Sequence, residues 1–146
     1  MAINPALETL IELATNATDE AAKRLGQAIR ACEDTEQKLT LLLQYREDYH
    51  ARFQSGLMSG ISMAGYRNFQ MFLDKLDTAI AGQQKIVEDA RRQIDTERSA
   101  WQSSERKRMS YGTLATRMEK EEQRKAGKRE QKLMDEYATR LASQKR

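Results

Sequence analysis

The apolar residues of this chain recur every 3.5 positions along two long segments, and the second segment keeps its helix-forming composition after its stripe has ended. Stepping four and three residues from Leu7 gives Leu7, Ile11, Ala14, Thr18, Ala21, Leu25, Ala28, Cys32, Thr35, Leu39, Leu42, Arg46, Tyr49 and Phe53, apolar at eleven of fourteen positions. The same stepping from Tyr66 gives Phe69, Leu73, Leu76, Ile80, Gln83, Val87, Ala90, Ile94, Glu97, Trp101, Ser104, Arg108, Tyr111, Ala115 and Met118, apolar at twelve of sixteen including Tyr66. The next six steps, Glu122, Lys125, Arg129, Lys132, Glu136 and Thr139, are all polar. A 3.5-residue repeat held this long keeps one narrow seam turned toward one neighbour, so each stripe asks for a coiled-coil partner.

Composition excludes most other architectures. Of the 146 residues, 32% are charged, 6% are aromatic and one is proline, which leaves little to fill a thick core and little to interrupt a helix. No apolar run approaches the roughly 20 residues that span a bilayer, and the opening MAINPALETL lacks a basic region followed by an apolar one, so a cytoplasmic protein is expected. The single Cys32 lies on the first stripe and is expected to act as a small buried hydrophobe.

The expected fold is all-α: a long two-helix antiparallel coiled coil, a helical hairpin in one domain spanning 1–146, with a C-terminal helical overhang. Asn4 and Pro5 suit the cap and first position of a helix covering about 4–54. Three glycines and three serines without a charge mark a loop over about 55–65. A second helix then covers about 66–141 and is unpaired beyond about 118. Facing Phe53 with Tyr66 sets pairs whose numbers sum to about 119, which brings Trp101 to the small residues Ala14, Ala17, Thr18 and Ala21.

The charge is uneven. Residues 1–100 hold 12 Lys/Arg against 15 Asp/Glu, whereas 101–146 hold 13 against 7. The overhang therefore reads as a solvated terminus, as a docking surface for an acidic or mixed-charge protein cavity, as a nucleic-acid contact or, weakest, as a membrane-surface contact, which lacks an apolar face opposite the most basic stretch. The third reading is weakened by Glu119, Glu121, Glu122 and Glu130 among the basic residues and by the absence of aromatics there for stacking. Glu121 can support the lone helix through Arg124 and Lys125. A short apolar face, Leu133, Met134, Tyr137 and Leu141, follows out of phase with the seam.

Enzymatic constellations are not apparent. His50 has no second ligand at metal spacing, Asp74 with Asp77 and Glu88 with Asp89 read as solvated faces, and Gly56, Gly60 and Gly65 match no phosphate-binding loop. No catalytic residue, metal ligand, cofactor or small-molecule substrate is assigned. Beside the seam near the loop, Phe72, Ala79 and Ile86 repeat on the second helix and Leu41 and Tyr45 on the first. They either thicken the core or form an exposed protein-binding patch.

The opening ALETL, the tyrosine pair in LLLQYREDY, the segment YRNFQMFLDKLDTAI, the tryptophan in RSAWQ and the closing KLMDEYATR, in this order and spacing, resemble the flagellar FliJ family. The resemblance covers essentially the whole chain. It implies a cytoplasmic component of the flagellar type III export apparatus, similar to the shaft of rotary ATPases, associated with the inner membrane at the flagellar base only through partners. Those implied partners are the ring of the export ATPase, the cytosolic domain of the membrane export gate and export chaperones. The resemblance implies a gate-facing patch of Leu42, Tyr45, Tyr49, Phe72, Leu76 and Ala79, although the stripes themselves put Leu42, Tyr49 and Leu76 on the seam. It sends the ATPase contact to the end holding both termini, where the basic residues Arg106, Lys107, Arg108, Arg117, Arg124, Lys125, Lys128 and Arg129 lie. The alternatives are a generic cytoplasmic coiled-coil chaperone or scaffold, and a basic helical nucleic-acid-binding protein.

Overall fold

The computed structural model describes residues 4–145, which form two helices, α1 (Pro5–Ser59) and α2 (Met63–Gln144). They pack against one another as an all-α helical hairpin, with no strand among the described residues. Asn4 starts α1: its Oδ1 accepts the Ala6 N–H at 2.9 Å and its carbonyl accepts the Glu8 N–H at 3.0 Å. Pro5 suits the first turn because the N–H it lacks would have had no partner there.

The turn is shorter than the 55–65 loop expected from composition, since Gly60, Ile61 and Ser62 alone separate α1 from α2. Gly60 ends α1 in the left-handed region, at φ 88°, and its N–H donates to the Leu57 carbonyl at 3.3 Å. Ser62 then caps α2, its Oγ accepting the Gly65 N–H at 3.1 Å. The flanking glycines remain helical because each costs only about 1 kcal/mol there, which pairing of two long helices readily outweighs. The helix boundaries move accordingly, from 54 to Ser59 and from 66 to Met63.

Two compact units are present, each a pair of antiparallel segments. Ala21–Trp101 forms one, and α1 up to Glu20 with α2 from Gln102 forms the other. In the first, Ala21, Cys32, Phe69, Leu76, Ile80 and Val87 are buried. The contacts Phe53 with Tyr66, Arg46 with Asp77, Glu36 with Arg91 and Arg24 with Glu97 run in opposite directions along the two helices and place the register near the expected one. In the second unit, Leu7, Ala14, Thr18 and Ala115 are buried. Ala17, expected on the seam, is exposed: it is one position from Thr18 and so is turned about 100° away.

The stripes predict burial closely. All fourteen positions of the first are buried or half-buried, as are all sixteen of the second except Tyr66. Every described residue from Glu119 onward is exposed. Most of the polar interruptions are engaged. Thr18 donates to the Ala14 carbonyl at 2.8 Å, and Gln83 Nε2 donates to the Thr35 carbonyl across the seam at 2.9 Å. Arg46, Glu97 and Arg108 are ion-paired with Asp77, Arg24 and Glu105. Thr18 and Arg108 are satisfied within their own helices, whereas Gln83, Arg46 and Glu97 reach across the pair; these cross-helix contacts add little stability but oppose slipped registers, which would break them. Cys32 is buried with its Sγ 3.5 Å from Glu36 Oε1, and burial together with that carboxylate raises its pKa.

The turn provides a paired test. Gly60→Ala places a Cβ on a left-handed residue and should cost about 1–2 kcal/mol in urea unfolding. Gly56→Ala, where an added Cβ meets nothing within 4 Å, should stabilise by about 0.5–1 kcal/mol.

Candidate interaction surfaces

Spacing of four on α1 and three on α2 brings six rings together below the turn. Phe53 contacts Tyr66 at 5.8 Å between centroids and stacks on Phe69 at 3.6 Å and 11°. Tyr49 stacks on Phe69 at 5.0 Å and meets Phe72 at 4.4 Å, and Tyr45 reaches Phe72 at 5.9 Å. Each such contact contributes about 0.5–1.5 kcal/mol beyond the area it buries. The ladder as a unit escapes a heptad reading, because Tyr45 and Phe72 flank the seam. The signal was available in the matched spacings of Tyr45, Tyr49, Phe53 and Tyr66, Phe69, Phe72.

The ladder sorts the residues of the gate-facing patch. Leu76 is only 6% exposed and belongs to the seam, so it offers nothing to a docking protein. Leu42, Tyr49 and Phe72 are half-buried, which leaves one side of each available, while Tyr45 and Ala79 are exposed. Leu41 and Ile86 extend this apolar face, at 64% and 50% exposure. The residues beside the seam thus divide: Phe72 thickens the core through two ring contacts, and Leu41, Tyr45, Ala79 and Ile86 face solvent.

The basic residues of the second unit also divide. Arg108 is half-buried and gripped by Glu105 at 2.5 and 3.0 Å, so it supports the seam. That hydrogen bond, opposed by partial desolvation, lowers the Glu105 pKa and raises that of Arg108. Arg106, Lys107, Arg117, Lys125 and Lys128 are exposed. Arg124 is exposed but bound to Glu121, the pairing expected from their spacing, which lowers the Glu121 pKa. Arg129 reaches Glu122 at 3.5 Å. Lys107 also lines a groove of about 290 Å³ with Leu10, Leu13, Ala14, Ala17, Ser104 and Tyr111. Sequence reading missed this groove, although Leu10, Leu13 and Ala17 repeat at helical spacing beside the first stripe.

The family model described as "Flagellar FliJ protein" matches residues 3–146 of this chain. The chain belongs to the FliJ family. Curated FliJ relatives include the "Flagellar FliJ protein" of Salmonella typhi, 30% identical over 145 residues and 99% of each chain, and that of Escherichia coli (strain K12), 29% identical over the same share. The Bacillus subtilis (strain 168) protein is 28% identical over 95 residues, 65% of each chain. For a FliJ chain, near-complete coverage of both relatives extends the likeness through the overhang, which has no core of its own to preserve.

The ladder and the patch are separable by stability. Phe69→Ala, at a buried ring with two stacking partners, should cost about 3–5 kcal/mol in denaturant unfolding, and Tyr45→Ala no more than about 1.5 kcal/mol.

Proposed function

We propose that this chain is a non-enzymatic component of the flagellar type III protein export apparatus, a coiled-coil stalk that docks in the export ATPase ring, contacts the cytosolic domain of the export gate and assists the cycling of export chaperones. The observation that carries the reading is the family match from residue 3 to 146, which includes the single-helix segment beyond Met118. A helix of this length with every side chain in solvent draws nothing from an intramolecular core, so a partner supplying complementary charge accounts for it better than folding does. The exposed Arg106, Lys107, Arg117, Lys125, Lys128 and Arg129 suit a ring lined with mixed or acidic charge. Arg108 acts in this reading through the seam and Arg124 through its Glu121 pair. The apolar face around Tyr45 and Ala79, rimmed by Leu42, Tyr49 and Phe72, suits the gate. The reading places the protein in the cytoplasm at the inner face of the membrane at the flagellar base. It involves no cofactor, nucleic acid or small-molecule substrate.

Truncation after Met118 retains every seam position and should leave the melting temperature of the hairpin nearly unchanged while removing most stimulation of the export ATPase. Lys125→Glu with Lys128→Glu should weaken ring binding in a salt-sensitive way, since exposed charges are screened over about 8–10 Å at physiological ionic strength. Full stimulation by the truncated chain would move docking to the paired helices.

Tyr45→Asp with Ala79→Asp, both at exposed positions, should abolish binding to the gate's cytosolic domain in a pull-down with helicity intact. Undiminished binding would exclude this face as the gate contact.

A further inference from the structure

The hairpin turn carries an apolar cap that neither surface uses. Leu57, Met58, Ile61 and Met63 are 49, 92, 40 and 70% exposed, within a stretch from Phe53 to Tyr66 that contains no charged residue. Moving away from the turn along either helix, the next features come in the same order: a ring, then a cation. On α1 these are Phe53, half-buried by its stacking on Phe69, and Arg52, on α2 the exposed Tyr66 and Arg67, and both arginines are exposed. The nearest carboxylates come later on each arm, at Asp48 and Asp74.

This layering of aliphatic tip, aromatic ring and cation, repeated on two antiparallel arms, matches the layering of a membrane interface. Aliphatic groups favour the acyl boundary, aromatic rings the headgroup level and arginines the anionic phosphates. The dimensions agree. Arg52 and Arg67 lie eight and seven residues from Gly60, roughly 10–12 Å along the helices, and interfacial segments immerse their apolar part by about 5–10 Å. Arginine stems can bridge the remainder. Ser59 donates to the Ser55 carbonyl at 3.2 Å and the Ser62 oxygen accepts the Gly65 N–H, so these groups lose less on leaving water. A second copy of the chain fits poorly, because four side chains cover far less than the roughly 800 Å² per partner of a stable interface.

We propose that the turn, residues 57–63, inserts shallowly into an anionic lipid surface, with Arg52 and Arg67 on the phosphates. This adds a direct lipid contact to a membrane association otherwise made through protein partners. The test is co-sedimentation of the full chain with vesicles of phosphatidylcholine containing one third phosphatidylglycerol, and with vesicles of phosphatidylcholine alone. The full chain should bind the anionic vesicles. Met58→Asp with Met63→Asp should lower that partitioning at least about tenfold without changing the circular dichroism melt, as both side chains are exposed. Arg52→Gln with Arg67→Gln should lower it about 30-fold on anionic vesicles and little on neutral ones. The chain truncated after Met118 should bind as the full chain does. Absence of binding by the full chain would overturn the proposal, as would binding that survives Met58→Asp with Met63→Asp but is lost on truncation, which would assign the lipid contact to the basic overhang. Binding of the turn to the gate's cytosolic domain with no response to vesicles would make the cap a protein contact and overturn it equally.

Discussion

Everything in this protein depends on the pairing of two narrow seams. Among the described residues no third layer covers either helix, so burial is confined to the face turned toward the other helix, and every position of the 3.5-residue repeat except Tyr66 is buried or half-buried. One consequence is that polar residues on the seam cannot be hidden or ignored. Gln83 reaches the Thr35 carbonyl, Thr18 bonds back to its own helix, and Arg46, Glu97 and Arg108 find opposite charges. A thin core leaves most of the surface to solvent and makes each partner a matter of local side-chain chemistry.

That constraint also separates seam-bound from solvent-facing residues among chemically similar side chains. Arg108 and Arg117 are both basic and nine residues apart, yet the first is held by Glu105 on the seam and the second is exposed. Leu76 and Ala79 are three residues apart on α2, and only Ala79 faces outward. A hairpin held together by one narrow seam keeps this division, because the residues that pair its helices are not those that solvent reaches. In the function proposed above, seam residues maintain the shaft, and the wings and overhang contact partners.

The helix beyond Met118 fits the same account. It keeps helical sequence and local pairs such as Glu121 with Arg124, but such pairs add only a few tenths of a kcal/mol each. Its exposed face of Leu133, Met134 and Tyr137 and its basic residues therefore have no role within the hairpin. The FliJ match continues through this segment.

How much was legible in advance depended on how local the determinant was. The heptads alone determined the all-α hairpin, the seam residues, the point where pairing stops and the approximate register, because periodicity is a property of one chain read in order. Asn4 and Pro5 likewise specified the start of α1 through contacts within five residues. The tertiary structure decided matters that depend on the opposite helix. It shortened the turn to Gly60, Ile61 and Ser62, because pairing outweighs the helix cost of small residues. It drew Phe72 partly into an aromatic ladder with Tyr45 and Tyr49 of α1 and set Gln83 against the Thr35 carbonyl. Residues flanking a seam have no fixed fate in sequence; whether one is core or surface is decided by the size of the side chain it meets across the pair.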